Sequence, residues 1–88
     1  SKGRLRVISE ATLRAIHRYL KQDFVFTLSD VVKVNLVDQN IIVVSIIHLN
    51  NKGEENLSGS AVIKGDEDEA VVKATLNAVN RKLAILLK

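Results

Sequence analysis

Two ten-residue segments of this 88-residue chain are nearly identical, and a strand-rich region separates them. Residues 11–20 read ATLRAIHRYL and residues 74–83 read ATLNAVNRKL, so six of the ten positions match without a gap. A repeat of this kind indicates copies of one supersecondary unit that share a core. We therefore predict one complete unit preceded by a helix from another unit. We expect residues 1–88 to form a single domain, and to be a fragment of a longer protein.

The first copy of the repeat predicts a helix at residues 4–21, with several possible starting residues. A short strand at residues 4–8, followed by a helix that Ser9 caps, is the alternative. In the helical interpretation, one face of the helix forms an apolar stripe at helical spacing. The stripe contains Leu5, Ile8, Thr12, Ala15, Ile16 and Tyr19.

The second copy predicts a helix at residues 66–86, and its start is the clearest in the chain. Asp66 is a good N-cap, and Glu69 stands three residues later, as the partner in a capping box does. Four acidic residues in the first turn also suit the positive end of the helix dipole. Small residues recur every fourth position and allow close packing against a neighbouring element. These residues are Ala70, Ala74 and Ala78.

The segments at about 24–37, 41–49 and 56–64 are predicted to be strands, with a bend or bulge at Ser29-Asp30. The order helix, three strands, helix predicts an α+β fold (α-β-β-β-α). In this fold both helices pack on one face of a three-stranded antiparallel sheet, so each strand should alternate apolar and polar residues. Residues 41–47 are apolar on both faces, which indicates that a second subunit or another domain covers the free face. We predict an oligomer interface at Ile42, Val43, Val44, Ile46 and Ile47.

The composition and the charge distribution limit the classes of function. Cysteine is absent, which favours an intracellular, cytoplasmic protein, and no apolar run is long enough for a membrane span, so we expect no membrane partner. Residues 1–22 carry six basic groups and one acid, whereas residues 54–69 carry six acids and one lysine. The basic helix suggests an acidic partner or nucleic acid, or a solvated surface whose charge the acidic segment balances.

Catalytic and metal-binding patterns are weak in this sequence. His17 and His48 have no nucleophile or carboxylate at a suitable spacing, so we predict no enzyme activity and no cofactor. The acids at 66–69 lack the spaced ligands and the glycine of a calcium loop, so we predict no metal site. Small residues in the third strand and the start of the second helix allow close approach of a ligand or, alternatively, of a packed helix. The candidate ligand-binding residues are Gly59, Ser60, Ala61 and Asp66.

The strands and the second helix together resemble the C-terminal regulatory domain of 2-isopropylmalate synthases. The helix of that domain reads roughly E-A-S-x-K-A-x-x-N-A-x-N, and Glu69-Ala70, Lys73-Ala74, Asn77-Ala78 and Asn80 match it in register. The chain departs from the pattern at Glu67 and Val71, and it retains only Gly59 and Gly65 near the helix start. The resemblance implies a βββα unit that joins subunits and that senses a small effector, leucine in that family, between units.

We therefore predict a non-catalytic dimerisation or regulatory module, with a second copy or another domain of the parent protein as partner. A small-molecule effector at the junction is compatible with this role. The alternative is an RNA- or DNA-binding module, because double-stranded-RNA-binding domains share the α-β-β-β-α order. Such domains resemble one another in the basic start of their second helix, where this chain has four acids, so nucleic acid is the less favoured partner.

Overall fold

The computed structural model describes residues 2–21 and 25–86 and confirms the α-β-β-β-α fold. Its elements are α1 (Lys2–Leu20), β1 (Phe26–Asn35), β2 (Asn40–Asn50), β3 (Gly53–Val62) and α2 (Glu67–Leu86). The strands form one antiparallel sheet in the order β1-β2-β3, and both helices cover the same face of it. Phe24, which the sequence placed in the first strand, lies outside the described residues.

The predicted interruption of the first strand is a β-bulge. Leu28 lies opposite Ile46 and Asp30 lies opposite Ser45, so Ser29 is the extra residue in β1. The bulge keeps Val31, rather than Val32, on the face that the helices cover, and Val31 is fully buried. The bulge therefore keeps apolar residues of β1 on the buried face, although the alternation of apolar and polar residues in the sequence is interrupted at this point.

The two helices run parallel to each other. Arg4 near the start of α1 contacts Asp68 near the start of α2, and Ser9 contacts Thr75 one to two turns further along both helices. A parallel arrangement follows from the topology. The chain reverses its direction at each of the four connections between α1, β1, β2, β3 and α2, so α2 runs in the same direction as α1. The C-terminal ends of α1 and α2 therefore lie at the same end of the domain.

The buried face of α1 differs from the predicted stripe. Ala15 is exposed and Tyr19 is 73% exposed, whereas Ser9 is fully buried. The alternative with a strand and a cap at Ser9 is also wrong, because α1 is continuous from Lys2. Sequence reasoning treats serine as a surface or cap residue, but here its hydroxyl has a partner on α2. The buried positions of α1 are Leu5, Ser9, Leu13 and Ile16.

A chain of buried hydroxyl groups joins the helices. The Thr75 hydroxyl donates to the Val71 carbonyl at 2.8 Å, so its only hydrogen is already used. The Ser9 hydroxyl, 2.8 Å from Thr75 Oγ1, must therefore donate to Thr75. Each polar atom in this contact has a partner, which is what allows two hydroxyl groups to lie in an aliphatic core.

This geometry predicts unequal effects for two substitutions. Thr75→Val should destabilise by about 1–3 kcal/mol because it leaves the Ser9 hydroxyl buried without its acceptor, whereas Ser9→Ala should cost about 0.5–1.5 kcal/mol. Urea unfolding of both single variants and the double variant checks this order. In the double variant the two effects should be less than additive. Additive effects, or a larger loss for Ser9→Ala, would contradict the donor assignment.

Strand β3 and helix α2 approach each other closely at Gly59. A Cβ atom at this position would lie 2.7 Å from Ala78 Cα and closer still to two other backbone atoms of α2, Ala74 O and Ala78 N. Ala74 and Ala78 are buried here, whereas Ala11 and Ala15, the matching residues of the repeat, are exposed on α1. Matching residues of the two repeat copies therefore differ in burial, because the two helices turn different faces of the repeated sequence towards the sheet.

Candidate functional site

The face of the sheet opposite the helices is an apolar surface that no element in the described part of the chain covers. Strand β2 alternates between the two faces: Ile42, Val44 and Ile46 are fully buried under the helices. Val43 and Ile47 are half-buried on the opposite face. Of the five residues predicted for an oligomer interface, three therefore form the core of the chain itself. Only Val43 and Ile47 remain available to a partner.

The register extends this open face onto both neighbouring strands. Val32 of β1 lies opposite Val43, and Ile41 lies between Val34 of β1 and Val62 of β3. Strand alternation places all of these side chains on the open face, because their sequence neighbours face the helices. Sequence reasoning missed the contributions of β1 and β3, since pairing register is not visible in a single strand. We name the resulting surface the sheet patch: Val32, Val34, Ile41, Val43, Ile47 and Val62.

None of the six residues of the sheet patch is charged, but a polar row crosses the face between Val43 and Ile47. This row consists of Asp30, Ser45 and Ser58, while Ser60 lies beside Val43 and Glu54 lies at one end of the face. Three strands of about ten residues give a face of about 33 by 14 Å. Two such faces in contact would bury roughly 900 Å² or more, close to the lower limit of specific protein interfaces.

Both edges of the sheet are already engaged by the helices. The Asn77 side chain of α2 accepts a hydrogen bond from the Ser60 amide at 3.1 Å. At the other edge, Arg6 of α1 donates to the Ser29 carbonyl at 3.2 Å, within the bulge. Side chains and bulges of this kind hinder pairing with another strand. The open face is therefore better suited than either edge to contact a partner.

The residues predicted to bind a ligand are not brought together. Gly59 is buried beneath α2 and Ala61 faces the same side, whereas Ser60 lies on the open face. Asp66 is used as a cap, because its carboxylate accepts a hydrogen bond from the Asp68 amide at 2.9 Å. The small residues of β3 therefore accommodate helix packing, the alternative that the sequence also allowed.

Basic side chains neutralise the acidic start of α2. Arg4 binds Asp68 through two hydrogen bonds, at 3.1 and 2.5 Å. Two further ion pairs involve this turn: Lys33 with Glu67 at 3.0 Å, and Lys73 with Glu69 at 2.8 Å. Among the described residues no cluster of potential metal ligands occurs. The acidic turn thus serves to cap the helix and to pair with the cations around it.

These ion pairs predict a loss of stability in acid. The hydrogen bond from Arg4 lowers the pKa of Asp68, and the hydrogen bond from Lys73 lowers that of Glu69. A carboxyl group with a lowered pKa in the folded state stabilises the fold above its unfolded pKa of about 4, and this contribution is lost as the pH falls through the folded value. Stability should therefore decline below about pH 4.

Urea unfolding at neutral pH and in acid checks this decline. Asp68→Asn should reduce the difference in unfolding free energy between the two conditions, because the amide does not titrate. Asp38→Asn is the matched control, since Asp38 is exposed in the β1–β2 turn and has no ion pair within the described residues. Equal pH dependence in Asp68→Asn and wild type would contradict the role of the Arg4 contact.

The two histidines have structural surroundings. His17 Nε2 accepts the Phe26 amide at 3.0 Å, and its ring stacks on Phe26 with centroids 6.0 Å apart. His48 is buried on the other side of Phe26, with Nδ1 3.7 Å from Glu55 Oε1, and Glu55 also binds Lys82 at 2.7 Å. An open groove of about 260 Å³ lies beside His17, between α1 and β1. These contacts tie α1 to β1 and α2 to β3.

Within the described residues, no helix is both long and apolar enough to cross a membrane. A comparison with protein-family models found no match for this chain. Neither the curated proteins nor the solved structures gave a significant match.

Proposed function

We propose that this chain is a non-catalytic dimerisation module in which two copies join through the sheet patch. The observation that carries the proposal is the apolar character of a sheet face that no element of the described chain covers. An antiparallel sheet with one solvated face normally places polar residues there, whereas β2 presents Ile41, Val43 and Ile47. Contiguous apolar surfaces of this kind mark interaction sites.

A second copy is the partner that the patch fits best. In a two-fold dimer the same surface meets itself, which requires that it lack charges that would repel their own copies. The six residues of the sheet patch meet this requirement, because none of them is charged. Asp30 lies beside them on the edge strand β1, where Arg6 of α1 is 4.0 Å from its carboxylate. The engaged edges of the sheet favour contact between faces over pairing of strands.

The resemblance to the regulatory domain of 2-isopropylmalate synthases supports a regulatory role for such a dimer in the cytoplasm. A small metabolite bound at the junction would favour one arrangement of the subunits through its higher affinity for that arrangement. The alternative of nucleic-acid binding receives less support. The start of α2, which contacts phosphates in double-stranded-RNA-binding domains, holds four paired or capping acids in this chain.

Light scattering across a hundredfold range of protein concentration tests the dimer. Wild type should have the mass of two chains, and Val43→Asp should shift it to one chain, because each carboxylate would lose its water in the interface. The matched control is Val7→Asp on the outer face of α1, where Val7 is 61% exposed. A monomeric wild type, or a Val43→Asp variant that stays dimeric, would contradict the proposal.

A further inference from the structure

One end of the domain brings together three segments that are distant in the sequence. The Leu49 amide donates to the Val25 carbonyl at 3.0 Å, which places the chain after α1 beside the end of β2. Lys82 binds Glu55 at 2.7 Å, which places the last turns of α2 beside the start of β3. The ends of both helices and the β2–β3 turn therefore form one surface.

The contacts between the parallel helices show which residues of α1 and α2 lie at this end of the domain. Residues 64 to 66 positions apart touch each other across the parallel helices, as Arg4–Asp68 and Ser9–Thr75 show. Tyr19 lies in the last turn of α1 and Ile85 in the last turn of α2, so both residues are at this end of the domain. Tyr19 is 73% exposed and Ile85 is 57% exposed, so both present apolar atoms to solvent.

Exposed cations lie at the same end of the domain as these two apolar side chains, and we name this end the basic end. None of these cations has an ion pair among the described residues. Among the described residues of this end, Glu54 is the one acid without an ion pair, since Glu55 is held by Lys82. The cations are Arg18, Lys21, Lys52 and Arg81.

We propose that the basic end binds the surface of an anionic lipid bilayer. Lysine and arginine near such a surface are attracted by its negative potential, and exposed aromatic and aliphatic side chains enter the headgroup region. This mode of binding requires no spanning segment, and the sequence-based expectation of no membrane partner rested on the lack of such a segment. It also leaves the sheet patch unchanged, so it is independent of dimer formation.

The observations favour a bilayer over nucleic acid. Both partners would offer phosphates to the four cations, and a base could stack on Tyr19, but only a bilayer also gains from the exposed aliphatic side chain of Ile85 at the same end of the domain. The acidic start of α2 does not oppose either partner directly, because a helix of 20 residues places it about 30 Å away.

Sedimentation with vesicles of phosphatidylcholine, with and without phosphatidylserine, tests the proposal. Wild type should bind only the vesicles that contain phosphatidylserine, and salt should weaken the binding. Each cation near an anionic surface contributes about 1 kcal/mol, or roughly a fivefold change, so Arg18→Gln with Arg81→Gln should weaken binding about 25-fold. Lys64→Gln with Lys73→Gln removes the same charge near the start of α2 and should leave binding within about twofold.

A second pair of variants separates the lipid surface from nucleic acid. Tyr19→Ser with Ile85→Ser should weaken binding to the anionic vesicles severalfold, although all four cations remain. Val43→Asp should bind the vesicles as a monomer. The proposal would be overturned if wild type bound neutral vesicles equally well, or if the double arginine variant and the double lysine variant lost the same affinity. It would also be overturned if a short RNA duplex displaced the protein from vesicles at equal phosphate concentration. Unchanged circular dichroism spectra establish that each variant is folded.

Discussion

Replacement of Gly59 by alanine is expected to destabilise the domain by about 3 kcal/mol, at the upper end of the usual range for overpacking. The added methyl group would meet backbone atoms of Ala74 and Ala78, with Ala78 Cα only 2.7 Å away. A side chain can rotate away from such a contact, but a helix backbone cannot. The whole of α2 would have to move off the sheet, and this would open the core around Val71 and Val79.

Urea unfolding followed by circular dichroism measures the loss. Gly3→Ala is the matched control, because a Cβ atom there meets no other atom within 4 Å and the residue lies in α1. Alanine is the better helix former, so this control should be neutral or stabilising by up to about 1 kcal/mol. If Gly59→Ala were as stable as wild type, the close packing of β3 against α2 would be incorrect.

Replacement of Val44 by aspartate is expected to unfold the chain, whereas the same change at the adjacent Val43 should leave it folded. Val44 is fully buried beneath the helices, and a carboxylate placed there would have no partner. Unpaired buried charge is among the few single changes that cost more than about 4 kcal/mol. A domain of this size has a total stability of only about 5–10 kcal/mol.

Amide proton dispersion in NMR spectra distinguishes the two outcomes at neutral pH. Val44→Asp should give the narrow dispersion of an unfolded chain, and Val43→Asp should keep the dispersion of the native fold. Val44→Ala provides the control for lost volume alone, with an expected cost of about 2 kcal/mol and a folded spectrum. A folded Val44→Asp variant together with an unfolded Val43→Asp variant would mean that the two faces of the sheet are assigned in reverse.

Local signals in the sequence predicted most of the secondary structure. The Asp66 cap locates the start of α2, and the break at Ser29-Asp30 is the bulge of β1. These features depend on backbone conformation and on hydrogen bonds between near neighbours, so the residues around them are sufficient to specify them. The helical face of α1 was assigned incorrectly at Tyr19, because the burial of Ser9 depends on Thr75 of another element.

The candidate sites show the same division more clearly. The sequence alone determined that β2 is apolar on both faces, and on that basis predicted a partner for one of those faces. Which face is the core, and which side chains of β1 and β3 extend the sheet patch, follow only from the pairing register and from the side on which the helices pack. The basic end likewise arises because the parallel helices bring Arg18 and Arg81, 63 residues apart, to one end of the domain. Periodicity fixes what each element presents on each face, but contacts between distant segments decide which faces meet.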